Sequence, residues 1–344
     1  MKILFIGGTG NISSAISSLL LEQGHELYLL NRGIHKVMLP IGAIELYGDI
    51  YNEAEVEKLL DDKIFDVAVD FIAYLEEDVE RDWRLFRNRV KQYIFISSAS
   101  AYQKPVRNYL ITESTPLVNP YWQYSRDKAA CEAALMEYHA NDNFPVTIVR
   151  PSHTYGNSFI PLALHGKKGD WQTLKRIREE KPVLIPGDGT SLWTVTHNSD
   201  FAKGFIGLMA NPHAIGQAIH ITSDEALTWT QIYETIADKL GVTLNPVYVP
   251  SQLLANAGQS FGYDYRGGLF GDKMHSVLFD NTKLKRLVPD YVATTRFDQG
   301  IGHTVAHFLI HPELQVEDPD FDIFCDKIAQ AMTLSYRTLC DESK

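Results

Sequence analysis

Residues 3–14 read ILFIGGTGNISS, and the order of residue types in that stretch decides the fold. Ile3 to Ile6 form an uninterrupted apolar run, the pattern of a short strand buried on both faces. Gly7, Gly8 and Gly10 follow, and Asn11 opens a segment that reads as a helix to Gln23 and stops at Gly24. Glycines at a strand-to-helix junction permit a tight turn and let the backbone approach a pyrophosphate. The helix N-terminus adds free N–H groups and the positive end of its dipole. The stretch therefore predicts a dinucleotide-binding turn made by Gly7, Thr9, Gly10, Asn11 and Ile12, with Ser13 standing where a third glycine is usual.

Outward from this turn, apolar strands alternate with helical segments. HELYLLN, FDVAVDFIA, QYIFISSAS and FPVTIVRP read as strands, and residues 53–61, 76–89 and 124–140 as helices. Strands that are apolar throughout, separated by helices, predict an α/β fold: a doubly wound parallel sheet covered on both faces. The pattern loosens after Pro151. KPVLIPGDGTSLWTVT reads as a hairpin region, TWTQIYETIADKLG as a helix N-capped by Thr228, and SFGYDYRGGLFGDK as a glycine- and aromatic-rich loop. We place the dinucleotide-binding domain at 1–160, with strands returning at about 195–222, and a smaller, mainly substrate-binding lobe at 161–344.

The end of the second strand bears on the choice of dinucleotide. A carboxylate about 20 residues past the glycine turn usually holds the ribose 2′-hydroxyl of NAD. Here the segment is Asn31-Arg32-Gly33, with no acid to repel a 2′-phosphate and an arginine able to pair with one. NADP is favoured over NAD on this ground. Asp49 and Ile50 follow a further short apolar stretch and suit the adenine, Asp49 as an acceptor for its amino group and Ile50 as a packing surface.

A second constellation lies in YWQYSRDKAACE. Tyr124 and Lys128 are spaced i and i+4, on one helix face. A phenol acting as a base at neutral pH must drop its pKa by roughly three units, and a neighbouring ammonium is a direct means. Upstream, a strand ends in Ser97, Ser98 and Ser100, where a hydroxyl can donate to a substrate oxygen while Tyr124 exchanges its proton.

Taken together, GGTGNI, FDVAVDFIAY, FISSASAY, YSRDKAACE, VRPSHTYG, PGDGTSLWTVTHNSDFA and FDNTKLKRL resemble the extended short-chain dehydrogenases/reductases, the NAD-dependent epimerase/dehydratase family, across residues 1 to about 300. The chain is similar to an atypical member, and GHELYLLNRG also resembles a subgroup that includes chloroplast stem-loop-binding proteins. The resemblance implies a Rossmann sheet with a C-terminal substrate-binding lobe. It makes Tyr124 the acid/base, Lys128 its activator and a ribose contact, and Ser98, four residues before Tyr102, the group that orients the substrate oxygen. Ile72, Ala73 and Tyr74 would lie beneath the cofactor, with Ser97, Pro151 and His153 beside it. Ser100, Trp193 and Arg266 would face substrate. Helices 76–89 and 124–140 pair subunits in many relatives, which makes a homodimer the expectation.

Three departures shape the implied activity. Ala99 and Ser100 stand where dehydratases carry Asp-Glu, so dehydration is disfavoured. Trp193 stands where sugar-nucleotide enzymes hold a diphosphate with arginine, leaving Arg266 or Lys273 to substitute. Asp70 replaces a histidine common in relatives, and nothing in the sequence assigns it a role. The expected reaction is hydride transfer at a secondary alcohol or ketone of a sugar or sugar-nucleotide-like substrate, by an epimerase or reductase. The alternatives are an NADPH-dependent reductase of a non-sugar carbonyl and a non-enzymatic nucleotide sensor or RNA-binding protein.

Composition sets outer bounds. The net charge of −11 argues against a duplex nucleic-acid partner, which needs a basic face. Cys131, Cys325 and Cys340 form no CxxC pair, and no apolar run is long enough for a signal peptide or a membrane span, so a reduced cytoplasmic protein without a membrane partner is expected. His303, His307 and His311 repeat at helical spacing but lack the glutamate of HExxH. They read as a polar helix face, with no metal expected.

Overall fold

A computed structural model of the chain describes residues 1–33 and 39–340. The first half builds strands β1 (Lys2–Ile6), β2 (Glu26–Asn31), β3 (Ile44–Tyr47), β4 (Phe65–Asp70), β5 (Val90–Ile96), the short β6 (Leu110–Ile111) and β7 (Val146–Pro151), with helices α1 (Asn11–Glu22), α2 (Glu53–Leu59), α3 (Glu76–Phe86) and α4 (Gln123–Asp142). The second half adds β8 (His153–Tyr155), β9 (Val183–Pro186), β10 (Leu192–His197), β11 (Gln217–Ile221), β12 (Ala226–Thr228), β13 (Pro246–Val249) and β14 (Leu278–Phe279). Its helices are α5 (Trp171–Arg178), α6 (Asn198–Leu208), α7 (Trp229–Leu240), α8 (Ser251–Gln259), α9 (Tyr265–Gly268), α10 (Thr282–Leu287), α11 (Phe297–Ile310) and α12 (Pro319–Cys340).

Seven strands form one parallel sheet in the order β11-β7-β5-β4-β1-β2-β3. The chain winds outward from β1 in one direction to β3, then returns and winds the other way from β4, which is the doubly wound Rossmann order. Side chains of each strand alternate between two cores. Ile3 and Phe5 of β1 point to a layer shared with Ile16 and Leu20 of α1 and Phe201 and Phe205 of α6. Leu4 and Ile6 point to the opposite layer, with Val56 of α2, Val79 and Phe86 of α3, and Cys131 and Leu135 of α4. The reversal of winding between β1 and β4 opens a crevice at their C-terminal ends, where ligands of such sheets bind.

The smaller lobe is assembled from non-local pairings. β10 runs parallel to β8 and antiparallel to β12; β9 pairs with β13, and β6 with β14. The expected hairpin over KPVLIPGDGTSLWTVT does not form, because β9 and β10 find partners in different sheets. The stretch SFGYDYRGGLFGDK is not an irregular loop either. It carries α9 and a wide turn of π type at Leu269–Lys273. Its glycines serve close packing: a Cβ at Gly267 would lie 2.5 Å from Trp122 Cδ1, and one at Gly271 2.7 Å from Trp122 Cβ. Thr228 caps α7 through a reciprocal pair, its hydroxyl accepting from Gln231 N and Gln231 Oε1 accepting from Thr228 N. No helix among the described residues is long and apolar enough to cross a membrane.

Candidate active site

A cleft of about 700 Å³ lies over the C-terminal ends of β1, β2, β4 and β5, within the size range of cofactor sites. Its floor is the glycine turn. Gly7 has φ +76°, and a Cβ there would collide with the Ile72 side chain, so conformation and space both require glycine. Gly10 N-caps α1, and its N–H donates to Ser13 Oγ at 2.8 Å. The buried Ser13 thus occupies the third-glycine place by folding back on the cap. No side chain caps the first turn of α1 and no acid lies in it, which leaves N–H groups and a positive dipole end for a phosphate. The Asn31 Nδ2 atom is buried at the end of β2 with no hydrogen-bond partner among the described residues. This donor set and cradle fit a dinucleotide.

Most of the predicted cofactor residues gather here: Gly7, Thr9, Gly10, Asn11, Ile12, Asn31, Arg32, Asp49, Ile50, Ile72, Tyr74, Ser97, Tyr124, Lys128 and Pro151 line the cleft. Arg32 is exposed and makes no hydrogen bond or ion pair among the described residues. The Asn11 side chain is occupied in holding β8, donating to Thr154 O at 3.0 Å. Two residues fall elsewhere. Ala73 is fully buried in the core beneath the cleft, and His153 turns away from it, edge-on to Trp193 and Trp229.

Asp70, opaque in the sequence, proves to organise the loop under the cleft. Its Oδ1 accepts from Ile72 N at 2.5 Å and Ala73 N at 2.8 Å, and its Oδ2 pairs with Arg81 at 3.1 Å. Arg81 also bonds Asp78 and Asp82, and Asp78 in turn accepts from Tyr74 N and Leu75 N. Burial and the nearby Asp82 hold the Asp70 carboxyl well above the ordinary carboxylate range.

Tyr124 and Lys128 project from the first turns of α4 toward the ends of β4 and β5. Lys128 Nζ donates to Ala73 O at 2.6 Å and Ile96 O at 2.8 Å and lies over the Tyr74 ring. Burial lowers it to about 8, with Cys131 and Asp70 pulling the other way. Burial pushes the Tyr124 phenol up to about 12, against the Ser98 side chain, which pulls it down. The ammonium expected to activate Tyr124 is turned to two backbone carbonyls, 6.0 Å from the Tyr124 ring centre. The phenol in this arrangement keeps its proton at neutral pH. Ser125 Oγ donates to Ser100 Oγ at 2.9 Å, and Ser100 shares a 2.9 Å contact with Ser98 Oγ. Either hydroxyl of the Ser98/Ser100 pair can be the donor; when Ser100 donates, the Ser98 hydrogen is left for Tyr124 or a ligand.

A second cavity of about 290 Å³ adjoins the first, with Tyr124, Pro151 and Phe159 lining both. Ser98, Ser100, Trp122, His153 and Trp193 line it as well. Trp193 is core-buried and anchors the far wall, its indole and that of Trp229 both donating to Lys273 O, at 3.1 and 2.9 Å. Arg266, predicted for substrate, lies outside the cavity; its guanidinium sits over Phe270 in solvent. Lys273 lines the cavity in its place, together with Lys104 and Asp272.

Lys104 and Asp272 carry no local sequence signal, since they meet only through tertiary packing. Glu132 does carry one, standing i+4 from Lys128. It accepts from Ser97 Oγ and binds Arg150 through two guanidinium nitrogens, and Arg150 also donates to Tyr102 OH. This buried group fixes the end of β5 against α4 and β7. Among the described residues no group of three His, Cys, Asp or Glu side chains is placed to hold a metal; His307 and His311 merely stack, 3.9 Å between ring centres.

With this geometry in hand, comparison with known proteins is direct. The profile of the NAD dependent epimerase/dehydratase family matches residues 3–222. The chain is 24% identical over 291 residues to 2'-dehydrokanamycin reductase of Streptomyces kanamyceticus, covering 85% of this chain and 80% of that one. It is 25% identical over 249 residues to the chloroplast stem-loop binding protein of 41 kDa b of Arabidopsis thaliana, covering 69% and 62%. The Thermus thermophilus UDP-glucose 4-epimerase, solved in complex with NAD, superposes with a TM-score of 0.70 at 20% identity over 90% of this chain and 99% of that one, a likeness of fold.

Proposed function

We infer that this chain, which belongs to the NAD dependent epimerase/dehydratase family, is a nicotinamide-dependent oxidoreductase that reduces a ketone on a compact sugar-like ring, with NADPH as the favoured donor. One observation carries the reading: Tyr124 stands in the wall common to a dinucleotide-sized cleft and a smaller cavity, with Ser98 lining the smaller and Lys128 the larger. A bound nicotinamide supplies or accepts the hydride. The chain's own groups handle the proton and the oxygen. Ser98 donates a hydrogen bond to the substrate oxygen, and the neutral Tyr124 phenol delivers its proton there as negative charge develops. Lys128 fixes the floor of the cleft and offers a cation near the ribose.

The phenol is consistent with the reductive sense. At about 12 it is protonated throughout the neutral range, the state a reduction needs. Running it as a base at pH 7 costs about 7 kcal/mol at 1.4 per unit. Arg32 at the end of β2 supports a 2′-phosphate, hence NADPH. The cavity of about 290 Å³ sits at the small end for ligand pockets, and Trp193 replaces a diphosphate-binding arginine, both of which support a substrate without a nucleotide.

Epimerisation of a sugar is the second reading, favoured by the family itself. A spectrophotometric assay with purified protein, excess cofactor and a panel of cyclic ketones and sugars separates them. Net loss of absorbance at 340 nm supports the reductase. Product without net change supports the epimerase. Absence of any dinucleotide binding overturns both.

A further inference from the structure

The wall of the smaller cavity opposite Tyr124 carries a charge pattern that neutral sugar chemistry does not require. Lys104 is 3% exposed and lines this cavity, yet its ammonium makes no hydrogen bond and no ion pair within 4 Å among the described residues. An ammonium walled in without a partner is costly and its pKa is lowered by burial, a cost that an anion in the cavity would offset. Lys104 is held in place by its main chain, whose N–H donates to Val118 O at 2.9 Å. Lys273 reaches the same cavity. Its position is fixed because its own carbonyl takes both the Trp193 and Trp229 indole N–H groups. Asp272 is the opposing carboxylate, close enough to act on both lysines but paired directly with neither. Lys104, Lys273 and Asp272 thus line one space of about 290 Å³, with the Lys273 ammonium over the Trp122 ring at 6.0 Å from its centre.

We propose that Lys104 and Lys273 bind an anionic group of the substrate, a carboxylate or a phosphate, on the side of its ring away from Tyr124. This rests on the reading of the smaller cavity as the substrate site. The anion supplies the partner that Lys104 lacks and leaves Asp272 to set the spacing between the two cations. It also orients the ring, since one end is fixed by charge and the other by Ser98 and Tyr124, so that a single carbon meets the larger cleft.

The test is isothermal titration with three probes of similar size, D-glucuronate, D-glucose 6-phosphate and D-glucose, each with and without NADPH. One or both acidic probes bind at least about tenfold more tightly than glucose, as a charge-assisted hydrogen bond in a desolvated site would give. Preference for glucuronate identifies a carboxylate site, and preference for the phosphate a phosphate site. Lys104→Met brings the acidic probes to within about threefold of glucose, whereas Asp272→Asn tightens them. Should Lys104→Met fail to fold, Lys273→Met carries the same comparison. Equal binding of acidic and neutral probes, binding of none of the three, or a preference that survives both lysine variants overturns the proposal. Failure of NADPH itself to bind strikes the hydride-transfer reading instead, while the cofactor-free titrations still report on Lys104.

Discussion

Lys128 is bonded to Ala73: its ammonium donates to the Ala73 main-chain carbonyl at 2.6 Å. Its second acceptor, Ile96 O, belongs to the neighbouring strand, so one side chain from α4 spans the ends of β4 and β5. The residue is therefore as much a strut for the cleft floor as a catalytic cation, and the two roles respond to pH in opposite senses.

Burial lowers Lys128 to about 8 from its ordinary 10.5. Below pH 8 the ammonium is present, and between 8 and 10.5 the folded state binds fewer protons than the unfolded one. Reduction should thus decline on the alkaline side with an apparent pKa near 8. Over pH 8 to 10.5, wild type should gain up to about 3 kcal/mol on Lys128→Met in urea unfolding. A flat activity profile to pH 10 would remove Lys128 from the chemistry.

Tyr124→Phe keeps the ring that lines both cavities and deletes only the proton. We expect kcat to fall by about 10²- to 10⁴-fold, with NADPH affinity held within about twofold. Stopped-flow single turnovers and a separate fluorescence titration of NADPH measure the two. A variant with near-normal turnover would mean that another group donates.

Asp70 supports the loop beneath the cleft through two amides and Arg81. Asp70→Ala leaves those amides unpaired and removes one of the three carboxyl partners of Arg81, so unfolding in urea should show a loss of about 2–5 kcal/mol. Asp70→Asn retains an acceptor oxygen and should lose markedly less. Equal losses would show that charge, not the acceptor, holds the loop.

Arg32→Ala tests the cofactor preference. NADPH should bind about tenfold or more weakly, in line with loss of charge-assisted hydrogen bonds, while NADH changes little. Parallel weakening of both would place Arg32 on the adenine or the pyrophosphate.

What could be read ahead of the structure was what short-range patterns encode. The glycine turn, the apolar strands of the large sheet and the Tyr124/Lys128 spacing each lie within a few residues of sequence, and each appears in place. The small lobe resisted because its strands choose distant partners: β9 takes β13, and β10 takes β8 and β12. Glycine content misled at 260–273, where Gly267 and Gly271 admit the Trp122 ring and do not loosen the chain.

The site divides the same way. Ser98 and Tyr124 were legible because their setting is local. Arg266 and Lys273 carry the same charge in the same glycine-rich stretch, and only the π-type turn, pinned by two indoles to Lys273 O, brings Lys273 to the cavity and leaves Arg266 outside. Asp70 carried no meaning until Arg81, a full helix away in sequence, closed the network around it.

Tyr124, Pro151 and Phe159 belong to both cavities and mark where the two meet. That shared lining couples the two binding equilibria in one thermodynamic cycle. Whatever factor an occupant of one chamber applies to the affinity of the other is returned in equal measure, so a substrate that raises the affinity for the dinucleotide is itself bound more tightly, by the same factor, once the dinucleotide is in place.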